Sequence, residues 1–180
     1  MGRAGPVDRR HVRRNTGARA GSRLQNGAGA GAVLAQVRAV SDDLENWTKI
    51  PDAIFGTNRY TACPCMRYVN GYYYVLYLEN RSPRHYYETY ITRSRDLKKW
   101  EISSANPVLR PIEIDDSINA SDPEIVEFKG KTYIYYSVGD QLTWMNIKRL
   151  IYPGSLESFC EMWYRQPGIE DHGTLYVPSA

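Results

Sequence analysis

Two unlike patterns each occur twice in this 180-residue chain, and they interleave. Residues 62–77 align with residues 121–136 at an offset of 59. In both copies a pair ending in proline (Cys63-Pro64, Asp122-Pro123) opens an extended run. A two-residue turn follows (Asn70-Gly71, Lys129-Gly130), and then a Tyr-rich run. Asn-Gly between apolar runs is a strong β-hairpin signal, and Lys-Gly is its weaker twin. Proline has no backbone donor, which suits a first strand residue. The second pattern is Ser41-Asp42-Asp43-Leu44-Glu45-Asn46-Trp47, which returns as Ser94-Arg95-Asp96-Leu97-Lys98-Lys99-Trp100 at an offset of 53. Each copy follows an extended segment. It therefore reads as a strand–turn–strand corner, with the tryptophan opening the next strand.

Together the patterns define one unit: an inner strand over 63–69, then strands over 72–79, 86–94 and 100–103. Four antiparallel strands repeating every 50–60 residues make a propeller blade. Residues 33–50 supply the outer strands of a preceding blade. Residues 122–152 supply the inner strands of a following one, with its third strand over 143–152. Pro153-Gly154 stops that strand, and Ser155 is placed to cap a short helix reaching Tyr164. The expected fold is all-β: a partial β-propeller of about two and a half four-stranded antiparallel blades with a short C-terminal helix. A propeller ring needs at least four blades. The chain is thus expected to be the C-terminal portion of a longer protein, with bare blade faces open to self-association.

Composition divides the chain into three parts. Residues 1–32 are rich in Gly, Ala and Arg and hold seven arginines against one acid. They are expected to be a disordered leader, read either as an arginine arm touching RNA or membrane or as a non-native leader. Residues 33–164 are the propeller, and 165–180 a loose tail. Outside the leader 16 basic and 19 acidic side chains remain, so the folded part offers no nucleic-acid footprint. No apolar run spans a bilayer, no membrane partner is expected, and the N-terminus lacks the apolar core of a secretory signal. Fifteen tyrosines against three phenylalanines suit strands lining a wet groove. The three cysteines, Cys63, Cys65 and Cys160, lack metal-ligand spacing and read as reduced, buried thiols. His85 and His172 have no nucleophile partner, and no phosphate-loop motif is present. No cofactor is expected. Asp115-Asp116 falls far short of a calcium cage, so no metal site is expected.

The Asp-Pro strand opening, the turn with its Tyr-rich second strand, and the Ser-x-Asp-Leu-x-x-Trp corner, in this order, resemble the five-bladed β-propeller glycoside hydrolases around families 43 and 32. The resemblance covers residues 33–164. It implies a sugar-binding funnel on the propeller axis, hydrolysis by carboxylates, and an oligo- or polysaccharide substrate. Asp122 matches the acidic position at an inner-strand mouth. The pattern also implies a general-acid Glu ahead of a Cys-Pro pair, and here that place holds Ala62. A non-catalytic carbohydrate-binding module and an inactive truncated product therefore stand beside the enzyme reading.

Glycoside hydrolysis usually needs a carboxylic acid to protonate the leaving oxygen and a second carboxylate to activate water or attack the sugar. In a hairpin the end of strand two returns to the start of strand one. Glu79 and Asp140 are accordingly expected to converge with Asp122 on one mouth, as catalytic candidates. Each has a plainer reading as a turn or cap residue. Arg67 is expected either to bind substrate or an axial carboxylate, or to bridge two blades. Trp144 is the candidate for stacking on a sugar ring. Asn119 and Gln141 complete the substrate-binding set. Glu124 is left open between axis and blade contact, and Trp47 and Trp100 are expected to be structural.

Overall fold

The computed structural model describes residues 36–56, 60–81 and 85–165. The leader and nearly all of the tail lie outside the described residues. Among the described residues nine strands and one short α-helix follow in order: β1 (Gln36–Val40), β2 (Thr48–Phe55), β3 (Thr61–Val69), β4 (Tyr72–Arg81), β5 (Tyr86–Ser94), β6 (Glu101–Ile102), β7 (Asn119–Phe128), β8 (Lys131–Gly139), β9 (Met145–Tyr152) and α1 (Leu156–Met162), with a single 3-10 turn at Ile114–Asp116 before β7. Strands β1 and β2 form an antiparallel pair, the half blade. Strands β3 to β6 form the middle blade, and β7 to β9 the third. Helix α1 starts at Ser155, whose hydroxyl accepts from the Ser158 amide at 3.1 Å, as an N-cap should.

Both predicted hairpins turn with two positive φ values, Asn70 (47°) with Gly71 (81°) and Lys129 (50°) with Gly130 (72°). That is the type I′ geometry, whose twist matches that of the flanking strands. The corners also share one construction. Asp43 accepts the amides of Glu45 and Asn46, each at 2.8 Å. Asp96 accepts those of Lys98 and Lys99 at 2.9 and 2.7 Å. In each the next residue is left-handed, Leu44 at φ 67° and Leu97 at φ 63°. These hydrogen bonds hold a conformation that a bulky side chain otherwise resists.

One pairing was not foreseen. The sequence predicts antiparallel pairs only, but Tyr87 and Glu88 of β5 pair parallel with Asn119 and Ala120 of β7. This short ladder joins the middle and third blades into one hydrogen-bonded sheet. Between them lies the main core: Cys65, Tyr74, Leu76 and Ile91 of the middle blade against Ile125, Ile134, Tyr136 and Val138 of the third. Phe159 and Cys160 of α1 close it. A second cluster, Phe55 with Val75, Tyr77 and Tyr90, packs the middle blade on the half blade. Burial on both sides accounts for the unbroken Tyr and Leu run of β4.

The cysteine expectation needs a correction. Cys65 and Cys160 are buried, but Cys63 is exposed. A bulge in β3 is the physical reason, and it belongs to the candidate site.

Candidate functional site

β3 and β7 share a local irregularity. Between Ala62 and Cys65 the register of β3 on β4 gains one residue, and between Ser121 and Glu124 that of β7 on β8 does the same. The residue before the proline turns left-handed in both, Cys63 at φ 47° and Asp122 at φ 53°. These are β-bulges, which bend a strand and re-aim a side chain. Asp tolerates positive φ better than most residues. The bulge gives Asp122 a direction that simple alternation would not.

Five further side chains gather around this end of the blades. Tyr60 is half-buried, and its phenol is pushed above the ordinary tyrosine range by burial, then by the neighbouring Tyr87, Cys63 and Asp122. Tyr87 is the parallel partner of Asn119. Asn119 is fully buried; its Oδ1 accepts from Ser121 Oγ at 2.5 Å, and its Nδ2 has no hydrogen-bond partner among the described residues. Glu79, opposite Thr61 in the register, stands at the same end of the middle blade. It is 2% exposed and accepts from Tyr77 Oη at 3.2 Å. Its cross-strand neighbour is Glu88, also buried and bonded to Tyr90 Oη at 3.1 Å. Glu88 escaped sequence reasoning because it sits in β5, outside either repeat.

Asp140 occupies a loop of its own. Its Oδ1 accepts the amides of Leu142, Thr143 and Trp144 at 2.9, 2.8 and 3.0 Å, and its Oδ2 accepts from Thr143 Oγ1. Gln141 follows at φ 64°. The Thr143 hydroxyl and these amides hold the Asp140 carboxyl far below the usual carboxylate range. This is the corner construction again, with the acid four residues before a tryptophan, as in Asp43–Trp47 and Asp96–Trp100. A Cβ on Gly139 would lie 2.4 Å from the Trp144 carbonyl, so the loop closes tightly on that glycine. Trp144 itself is 41% exposed.

Arg67 bridges the inner strands of two blades. Its Nη2 pairs with Glu124 Oε1 and donates to the Ile125 carbonyl at 2.5 Å. Cys65 Sγ lies 3.7 Å from the same Glu124 oxygen. Of the two readings of Arg67, the structure places it in the inter-blade contact, on a carboxylate. Elsewhere Glu113, Asp115 and Asp116 bring their carboxylates within 4.8 Å of one another. Lys148 Nζ stands 2.6 Å from the first and 2.7 Å from each of the others. An ammonium thus already sits among these carboxylates and offsets one of their three charges.

No protein-family model and no curated protein matches the chain. Solved structures do. A Bombyx mori GH32 β-fructofuranosidase superposes with a TM-score of 0.57 at 18% identity, over 69% of this chain and 27% of that one. A variant of the same enzyme in complex with sucrose gives 0.51 at 22% identity, over 68% and 28%. A further glycoside hydrolase gives 0.51 at 19% identity, over 66% and 35%. The chain is a partial β-propeller of the kind found in glycoside hydrolases. It spans about a third of the length of the solved chains it resembles. Within the partial propeller, the bulges of β3 and β7 lie on the inner strands of successive blades.

Proposed function

We propose that this chain is the carbohydrate-facing part of a glycoside-hydrolase-like propeller, with Asp122 as the carboxylate that meets the sugar. One observation carries the reading: Asp122 stands in a left-handed bulge before Pro123 on an inner strand, half-buried and close enough to Tyr60 to raise its phenol. A carboxylate so placed is suited to accept sugar hydroxyls and to stabilise positive charge developing at a sugar carbon. Glu79 is the second carboxylate at this end, and its burial suits positioning better than direct contact. Asp140 contributes through the loop it holds, which presents Gln141 and Trp144. Asn119, with an unused donor, and Arg67, neutralised by Glu124, complete the set. The activity and substrate of a whole protein built on this fold belong to the same proposal.

A second reading, recognition without hydrolysis, is favoured by Ala62. It offers no carboxylate where a general acid is implied, and Asp140 is already committed to its loop. The experiment uses the full chain with two readouts, calorimetric binding of oligosaccharides and turnover of aryl glycosides. Turnover that falls in Asp122→Asn supports the hydrolase. Binding without turnover supports the module. Neither binding nor turnover removes both.

A further inference from the structure

The 59-residue repeat pairs Cys63 with Asp122, and the structure gives both the same backbone: an extra residue in the strand, a left-handed φ and a following proline. Cysteine is among the most buried residue types. Cys65 and Cys160 obey that rule at 0% exposure, whereas Cys63 is exposed. The two bulges lie on inner strands that pack against each other, and both residues act electrostatically on the Tyr60 phenol. Asn119, three residues before Asp122, is fully buried with an unused amide donor, a group that a bound acceptor would satisfy.

We propose that Cys63 is a ligand-contacting, specificity-determining residue of this site, the middle blade's counterpart of Asp122. The inference rests on the carbohydrate reading above. At one mouth the third blade offers a charged acceptor and the middle blade a polarisable thiol, a weak donor of modest size. A carboxylate in the Cys63 place would add a further negative charge to those of Asp122 and Glu79 at this end. The thiol adds none and offers a weak donor to a ligand hydroxyl, while the carboxylates already present favour a neutral, hydroxyl-rich ligand over an anionic sugar.

The test is the rate at which the full chain reacts with a chromogenic disulfide at pH 8, with Cys63→Ser to identify the fast thiol. Asp122→Asn keeps a residue type that accepts positive φ, so the bulge survives. Removing the carboxylate favours the thiolate, and the Cys63 rate is expected to rise about threefold in Asp122→Asn. Asp122→Glu is expected to stay near the parent. Equal rates in parent and Asp122→Asn overturn the shared mouth, whatever the chain binds. Sucrose and xylobiose are then titrated by calorimetry and in the labelling assay. Binding that slows Cys63 labelling supports the proposal. Binding that leaves the rate unchanged overturns the contact while the carbohydrate reading stands. No binding of either sugar removes the carbohydrate reading, and with it the ligand assigned to Cys63. Asp122→Asn acceleration is scored separately and uses no sugar.

Discussion

Asp96 and Asp140 hold different loops by the same means. Each carboxylate accepts amides two and three residues on, and each is followed by a left-handed residue, Leu97 or Gln141. Asp140→Ala is therefore expected to lower the melting temperature and raise hydrogen exchange at Leu142–Trp144. Carbohydrate binding would weaken only through the loop. An Asp140→Ala chain with unchanged melting and lost binding would reverse this assignment.

Stability should depend on pH in a defined direction. The carboxyls of Asp43, Asp96 and Asp140 are all depressed, in Asp43 and Asp96 mainly by backbone amides and in Asp140 first by Thr143. A depressed carboxyl stabilises fully above its unfolded value, about 4, and that contribution fades as pH falls through the folded value. Melting temperature should be flat between pH 5 and 7 to a first approximation, and should fall steadily below about pH 4. Replacing all three acids by Asn should flatten the acid limb.

Asp122 separates backbone from chemistry. Asp122→Asn should reduce carbohydrate binding or turnover at least about tenfold, as expected when a charged partner of the ligand is lost, with little change in melting. Asp122→Val should cost about 1–2 kcal/mol of stability, since a β-branched residue resists the left-handed bulge. Urea titration of both variants checks the contrast.

The pair between Arg67 and Glu124 is partly open to solvent, with side-chain exposures of 31% and 48%. Glu124→Gln should cost no more than about 1 kcal/mol and lose that difference in high salt. Arg67→Met should cost more, about 1–2 kcal/mol, because the Ile125 carbonyl also loses its donor. Chemical denaturation at two salt concentrations distinguishes the two terms.

The outer face of the third blade predicts association. Tyr74 and Leu76, fully buried between blades, align with Tyr133 and Tyr135, and Tyr135 is 39% exposed. Val126, Phe128, Met145 and Ile147 are also exposed on that blade. Sedimentation should show concentration-dependent self-association of the full chain, reduced by Ile147→Lys. A monomer over the whole range would count against a sticky face.

Much of this architecture was legible because its signals are local. The Asn70-Gly71 turn, the Asp43 and Asp96 corners and the Ser155 cap each act within a few residues, and strand boundaries followed from them. The third corner went unread because Asp140-Gln141 lacks both the serine and the leucine of the other two, and it joins β8 to β9 instead of an outer pair. Cys63 was misjudged because a bulge breaks the alternation by which strand residues are assigned to faces. Glu88 and the parallel contact of β5 with β7 are long-range. They arise where blades narrow toward their axis, and no short stretch encodes that.

Two residues on each strand, Tyr87 and Glu88 with Asn119 and Ala120, stitch one blade to the next. Neither blade can peel away from its neighbour without breaking main-chain bonds. The middle and third blades should consequently melt as one cooperative unit, with the half blade free to fray earlier. The amide of Tyr87, bonded to the Ile118 carbonyl at 2.9 Å, is then among the last to exchange with solvent.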